Sequence, residues 1–181
     1  DHKNLYEKYF NNLKLYEIIK KGKINTKYAN TYINNGFSMA LTNEEYNRMY
    51  SSDINMNTLK ALLHNQVLYK LKTEVLEYDY IILDQFVNPR KYYEYLKNEE
   101  NVVRDIEFMT KAEDKNLAVA CGSIISRYIF LKEFDKLCDS IHIPLPKGAG
   151  KDVDSIGEEI VEKYGKEKLQ EIAKYNFKNT D

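Results

Sequence analysis

Two carboxylates stand out by position. Asp84 closes the short apolar run "YIILDQF", and Glu113 lies in the charged stretch "TKAEDKN", 113 − 84 = 29 residues later. Each falls where a strand-like segment gives way to polar sequence, and open α/β sheets present ligand sites at the C-terminal ends of their strands. Carboxylates at adjacent junctions of one sheet edge would supply the hard oxygen donors that Mg2+ or Mn2+ prefers. A capping account stays open beside this one. Asp84 can cap the turn that follows it, and Asp114 or Asn116 can cap the helix after Glu113. The charges of Lys111, Glu113, Asp114 and Lys115 run directly into apolar sequence. Such an arrangement is costly unless the cluster is a solvated cap or a site with partners.

A third candidate is "PLPKGAGKDVDSIGEE", residues 144–159. Lys147, Gly148, Gly150 and Lys151 precede Ser155-Ile156-Gly157-Glu158, an S-x-x-E capping box expected to start a helix. Backbone N–H groups and lysine charge at a helix start attract phosphate. The GxxxxGK[ST] spacing of a P-loop is absent, and a solvated loop explains the local pattern slightly better. His2, His64 and His142 show no HxxxH or HExxH spacing, which argues against zinc; His64 reads as a hydrogen-bonded helix residue. Cys121 and Cys138 form no CxxC pair and read as reduced core thiols of a cytoplasmic protein.

The elements that must position these residues alternate along 181 residues, a length that suits one domain. The 27 Lys and Arg against 28 Asp and Glu leave a net charge of −1, so a polyanion would have to be held by a local patch. No apolar run reaches a membrane-spanning length, and no membrane partner is expected. Leu5, Tyr9, Leu13, Tyr16 and Ile19 recur at steps of three and four and predict a helix ending at Gly22. "GFSMAL" predicts a short strand, and residues 43–49 a short helix. Met56, Leu59, Leu63, Val67, Leu71 and Val75 mark one stripe of a long helix. Residues 78–86 then read as a strand covered on both faces. "PRKYYEYLKNEE" reads as a polar, aromatic connection, "VVRDIEFMTKA" as a second strand, and residues 117–138 as a long helix. This alternation predicts an α/β domain with a mixed or parallel sheet.

Taken together, "YDYIILDQF", "NTLKALLHNQ", "KAEDKNLAVACGSIISRYIFL" and "IPLPKGAGKDVD" resemble bacterial ribonuclease HIII, a type 2 ribonuclease H that cleaves the RNA strand of RNA/DNA hybrids. The resemblance runs from about Asn43 to Asn179, and "DHKNL" resembles a diverged form of the family's D-S-K-K-L segment. It implies a ribonuclease H-like mixed sheet flanked by helices, with further helices at the C-terminus. By the same resemblance Asp84 and Glu113 match the third and fourth of four catalytic carboxylates that hold Mg2+ or Mn2+. Lys147, Gly148 and Lys151, with Lys111, become contacts for the hybrid, and Ala118, Ala120, Cys121 and Gly122 let the long helix pack closely beneath the metal site. The implied products carry 5′-phosphate and 3′-hydroxyl ends, and the complete protein is expected to be monomeric. The family's G-S-D-E-x-G motif, which carries the first two carboxylates, has no match here. Residues 1–181 are therefore read as a partial catalytic domain, without the family's opening strands and its N-terminal substrate-binding domain. The second reading is a non-catalytic nucleic-acid-binding fragment or pseudoenzyme.

Overall fold

Strands, not the helix predicted by three-and-four spacing, occupy the first described residues. The computed structural model describes residues 15–19, 22–25, 30–33, 36–51, 53–74, 78–148 and 150–176, with backbone alone before residue 40. Strands β1 (Leu15–Ile19), β2 (Gly22–Asn25), β3 (Asn30–Ile33) and β4 (Gly36–Met39) pair in two nested antiparallel ladders, β1 with β4 and β2 with β3. Leu15 stands opposite Met39 and Gly22 opposite Ile33. The expected helix is thus wrong from Leu15 onward, and Gly22 opens a strand instead of stopping a helix; residues 5–14 lie outside the described set. Tyr16, Ile18 and Ile19 are aromatic or β-branched, types that suit a pleated surface, and a distant segment completes their ladder.

Two compact units make up the chain, Asp1–Ala40 with Met56–Ile129 and Leu41–Asn55 with Phe130–Asp181. Helix α1 (Asn43–Met49) belongs to the second and starts where the sequence predicts. Thr42 Oγ1 accepts from Glu45 N at 3.1 Å while Thr42 N donates to Glu45 Oε2 at 2.9 Å, a closed capping box.

In the first unit, α2 (Met56–Glu74) matches the predicted long helix and lies against β4. Its buried face is turned from the predicted stripe. Leu59, Ala61, Leu62 and Asn65 are buried, whereas Leu63, Val67 and Leu71 are only half-buried. Asn65 helps set this rotation, because its Nδ2 donates to Asn101 O at 2.8 Å and its Oδ1 accepts from Val103 N at 2.9 Å. A buried amide with both ends paired tolerates little rotation of its helix.

Strand β5 (Ile81–Asp84) is shorter than predicted, and Leu83 is its buried residue. The expected connection after it is in fact helix α3 (Pro89–Tyr95). Asn88 Oδ1 caps it by accepting from Arg90 N at 2.9 Å, and Pro89 sits in the first turn, where its missing N–H costs nothing. Tyr92 is fully buried, its ring edge-on to Phe108 at 5.1 Å and to Phe86 at 6.2 Å. Strand β6 (Ile106–Met109) runs parallel to β5, with Ile81 opposite Ile106 and Asp84 opposite Met109. The described strands therefore form antiparallel and parallel pairs among helices, the mixed α/β class that the sequence predicts.

After α4 (Ala112–Lys115) comes α5 (Leu117–Ile141), whose part within the first unit is unexpectedly open. From Leu117 to Ile129 the one buried position is Ile129, while Leu117 is 60% and Ile124 70% exposed. A Cβ at Gly122 would meet no atom within 4 Å. The close packing expected of Ala118, Ala120, Cys121 and Gly122 is thus not found among the described residues. Small side chains permit a close neighbour but do not supply one.

The second unit packs Ile141, Ile143, Ile160 and Leu169 together. Helix α5 ends through Ile143 N to Cys138 O and His142 N to Asp139 O, each 3.3 Å, with His142 at φ 55° in the position glycine usually takes. Helices α6 (Lys151–Tyr164) and α7 (Leu169–Ile172) follow, separated by a 3-10 turn at Lys166–Lys168. Asn47 of α1 closes the end of α7, its Nδ2 donating to Gln170 O at 2.9 Å and Ala173 O at 2.7 Å. Helix α6 begins at Lys151, ahead of the predicted capping box, so Ser155 lies inside it. Gly150 takes an extended N-cap conformation, and Asp152 and Asp154 in the first turn favour the earlier start through the helix dipole.

Candidate active site

The parallel ladder brings the C-terminal ends of β5 and β6 to one edge, and Gln85 N donates to Met109 O at 2.9 Å just beyond it. Chain leaving β6 turns through Thr110 and Lys111 into α4. Asp84 reaches across this edge, its Oδ1 accepting from Ala112 N at 2.9 Å. Ala112 is fully buried, and its N–H belongs to the first turn of a helix, where no helical acceptor exists. Contrary to the capping account, Asp84 therefore does not cap the turn that follows it; its Oδ1 serves the helix start at the other junction. Asp84 as a whole remains exposed.

Glu113 follows Ala112 directly and is exposed, with no side-chain partner among the described residues. Neither Glu113 nor Asp114 caps α5. That task falls to Asn116, whose Oδ1 accepts from Ala118 N at 3.0 Å and Val119 N at 3.2 Å. Lys115 donates to Thr110 O at 2.7 Å and so closes the turn. The two carboxylates singled out in the sequence thus share one edge, tied by the Asp84 to Ala112 hydrogen bond. No group of three or more Asp, Glu, His or Cys residues suited to a metal occurs among the described residues.

Lys111 is exposed and holds φ 53° and ψ 50°, left-handed values that few residues other than glycine adopt. Such strain is seen where the surroundings fix the backbone, and it gathers at functional sites.

The sequence reading missed the face that α2 turns to this edge. His64 packs its ring 5.4 Å from Phe86, and Lys60 Nζ stands 5.7 Å from the same ring. Burial holds the His64 imidazole below its ordinary pKa; Lys60 pushes it down further and Asp84 pulls it back up. The i, i+4 spacing of Lys60 and His64 was visible, but nothing local tied them to Asp84.

In the second unit, Lys147 Nζ lies over the Phe134 ring at 4.4 Å, Gly148 has φ 115°, and Lys151 is the first residue of α6. Lys147, Gly148 and Lys151 are all exposed. A cation held on an aromatic face keeps its outer side free for an anion.

Comparison with known proteins places the chain in a family. The family model for ribonuclease HII matches residues 3–180. The chain is 42% identical over 147 residues to a ribonuclease HIII of Bacillus thuringiensis and 43% identical over the same length to one of Bacillus cereus, in each case covering 80% of this chain and 47% of the relative. A crystal structure of Bst-RNase HIII in complex with Mn2+ matches with a TM-score of 0.76 at 37% identity, covering 81% of this chain and 48% of that one. The chain thus spans about half the length of the relatives it matches. With a family match over nearly all of its residues, the chain belongs to the ribonuclease HII family.

Proposed function

We propose that the chain forms part of the catalytic domain of a nuclease that hydrolyses the RNA strand of RNA/DNA hybrids with Mg2+ or Mn2+. The observation that supports this reading is the hydrogen bond from Ala112 N to Asp84 Oδ1, which ties Asp84 to the residue before Glu113. Asp84 and Glu113 offer hard oxygen donors, and their chemistry fits a small divalent cation that keeps several waters. With further carboxylates completing a two-ion site, one ion would activate water for in-line attack and the other would stabilise the leaving 3′ oxygen. Asp84 would hold its ligand position through the Ala112 hydrogen bond, and Glu113 would reach the same edge from the following residue. Lys111, Lys147, Gly148 and Lys151 would bind backbone phosphate, which fixes the duplex without reading base sequence. The second reading, a hybrid binder that does not cleave, is the one the family match does not favour.

Cleavage of a labelled hybrid in Mg2+ or Mn2+, with binding measured in Ca2+, tests both. Asp84→Asn keeps an oxygen able to accept from Ala112 N, so folding should survive while the charge is lost. Asp84→Asn and Glu113→Gln should each abolish RNA-strand cleavage and leave hybrid affinity nearly intact. Near-normal turnover in either variant would remove that residue from the ligand set. Binding without cleavage by a protein that joins this chain to the remaining half of its relatives' length would establish the second reading.

A further inference from the structure

We propose that Lys60 is an additional phosphate-binding residue of the carboxylate edge, held by the face of Phe86. This rests on the hybrid-nuclease reading and extends it to a helix outside the motifs that first suggested it. Phe86 lies two residues after Asp84, on the chain that leaves β5 at the edge. Its ring gathers Lys60 Nζ at 5.7 Å and the His64 ring at 5.4 Å, both from α2. The charged groups that act on His64 are Lys60, which lowers its pKa, and Asp84, which raises it. Lys60 is exposed, and among the described residues no carboxylate pairs with it. Lys70 of the same helix pairs with Glu74 at 2.8 Å, and Lys72 with Asp105 at 2.7 Å.

A fixed, unneutralised ammonium beside an edge carrying two carboxylates serves a definite need. A nucleic-acid strand approaching Asp84 and Glu113 meets like charge, and cations nearby must hold its phosphates in place. Lys60 is suited to this because its long stem rests on an apolar ring while the head stays hydrated. Arginine would keep both features, being cationic and able to stack on an aromatic face. Methionine would keep only the stem.

Binding of a fluorescent RNA/DNA hybrid to the 181-residue chain, in Ca2+ at several salt concentrations, tests the assignment. Lys60→Met should lower the magnitude of the log K against log salt slope by roughly 0.7–0.9, uniformly across hybrid sequences. Lys60→Arg should retain the slope. Lys97→Met, which removes another exposed lysine, should leave it nearly unchanged, since a distant charge acts only through the screened field. Phe86→Leu should keep the slope but weaken binding about two- to fivefold, the size of one exposed cation–π contact. Circular dichroism confirms that each variant is folded. An unchanged slope and affinity for Lys60→Met, with the unaltered chain binding normally, overturns the Lys60 assignment and leaves the nuclease reading standing. Failure of the unaltered chain to bind hybrid overturns that reading and takes this proposal with it.

Discussion

Replacing Lys111 by glycine separates backbone strain from charge at the candidate site. At φ 53° and ψ 50° the Lys111 Cβ crowds the following carbonyl, a cost of about 1–2 kcal/mol for an L residue. Glycine escapes that cost but gives up more freedom on folding, about 0.5–1 kcal/mol. Lys111 is exposed, so little packing is lost. The difference predicts that Lys111→Gly stabilises the chain by roughly 0.5–1 kcal/mol, whereas Lys111→Ala, which keeps Cβ, stays within about 0.5 kcal/mol of the parent. Both variants lose the ammonium. If it touches phosphate, both should lose the same roughly 0.7–0.9 from the salt slope of hybrid binding. Urea unfolding followed by circular dichroism gives the first quantity, and fluorescence anisotropy in Ca2+ the second. A stabilised glycine variant that binds less tightly would mean that the strained position is kept for its side chain. Should Lys111→Gly instead be less stable than Lys111→Ala, the strain argument fails, and unchanged slopes in both variants would take Lys111 out of the interface.

Lys147→Ala and Lys151→Ala should each lower the salt slope by the same roughly 0.7–0.9 if the glycine loop contacts phosphate, and a slope equal to that of the unaltered chain identifies a merely solvated loop. Asn65→Ala leaves the buried Val103 N–H without an acceptor and should cost about 1–3 kcal/mol in urea unfolding, while a loss below about 0.5 kcal/mol would show that Asn65 does not hold the approach to β6. The hydrogen bond from Lys72, and then that from Tyr78, lower the Asp105 pKa to about 2. Because the folded value lies below the unfolded one, the stabilisation is present above about pH 4 and is lost as pH falls toward 2. Stability curves for Asp105→Asn and the parent should therefore differ at pH 6 and converge near pH 2, and a gap of constant size would exclude the ion pair as its cause.

How far the sequence discloses this structure depends on how local each determinant is. The short helix at residues 43–49 was legible because Thr42 and Glu45 cap it within four residues, and α2 because Met56, Leu59, Leu63, Val67 and Leu71 recur at steps of three and four, although its buried face lies elsewhere. Helix α3 carried an equally local sign, Asn88 before Pro89, but its Tyr-rich sequence reads as a connection until Tyr92 is seen enclosed by Phe86 and Phe108. The strand at Leu15–Ile19 was misread because its partner, Gly36–Met39, lies on the far side of two further strands. Spacing of three and four describes a helix face, yet it does not exclude a strand whose ladder is completed from a distance.

The candidate site shows the same division between local and distant causes. Asp84 and Glu113 were legible because strand ends are visible in sequence and carboxylates are few there. What they do to each other was not. Spacing posed capping and ligation as rival accounts of Asp84, whereas the structure gives one oxygen to Ala112 N and leaves the residue exposed. A carboxylate has two oxygens, so a hydrogen bond that satisfies the helix start does not by itself exclude the proposed ligand role. Lys60 and His64 stayed hidden because their relation to the edge passes through Phe86, a contact between residues more than twenty positions apart. Motif spacing could find the residues that end strands; which helix packs beside Phe86, and so the phosphate contact proposed for Lys60, is visible only in the packing.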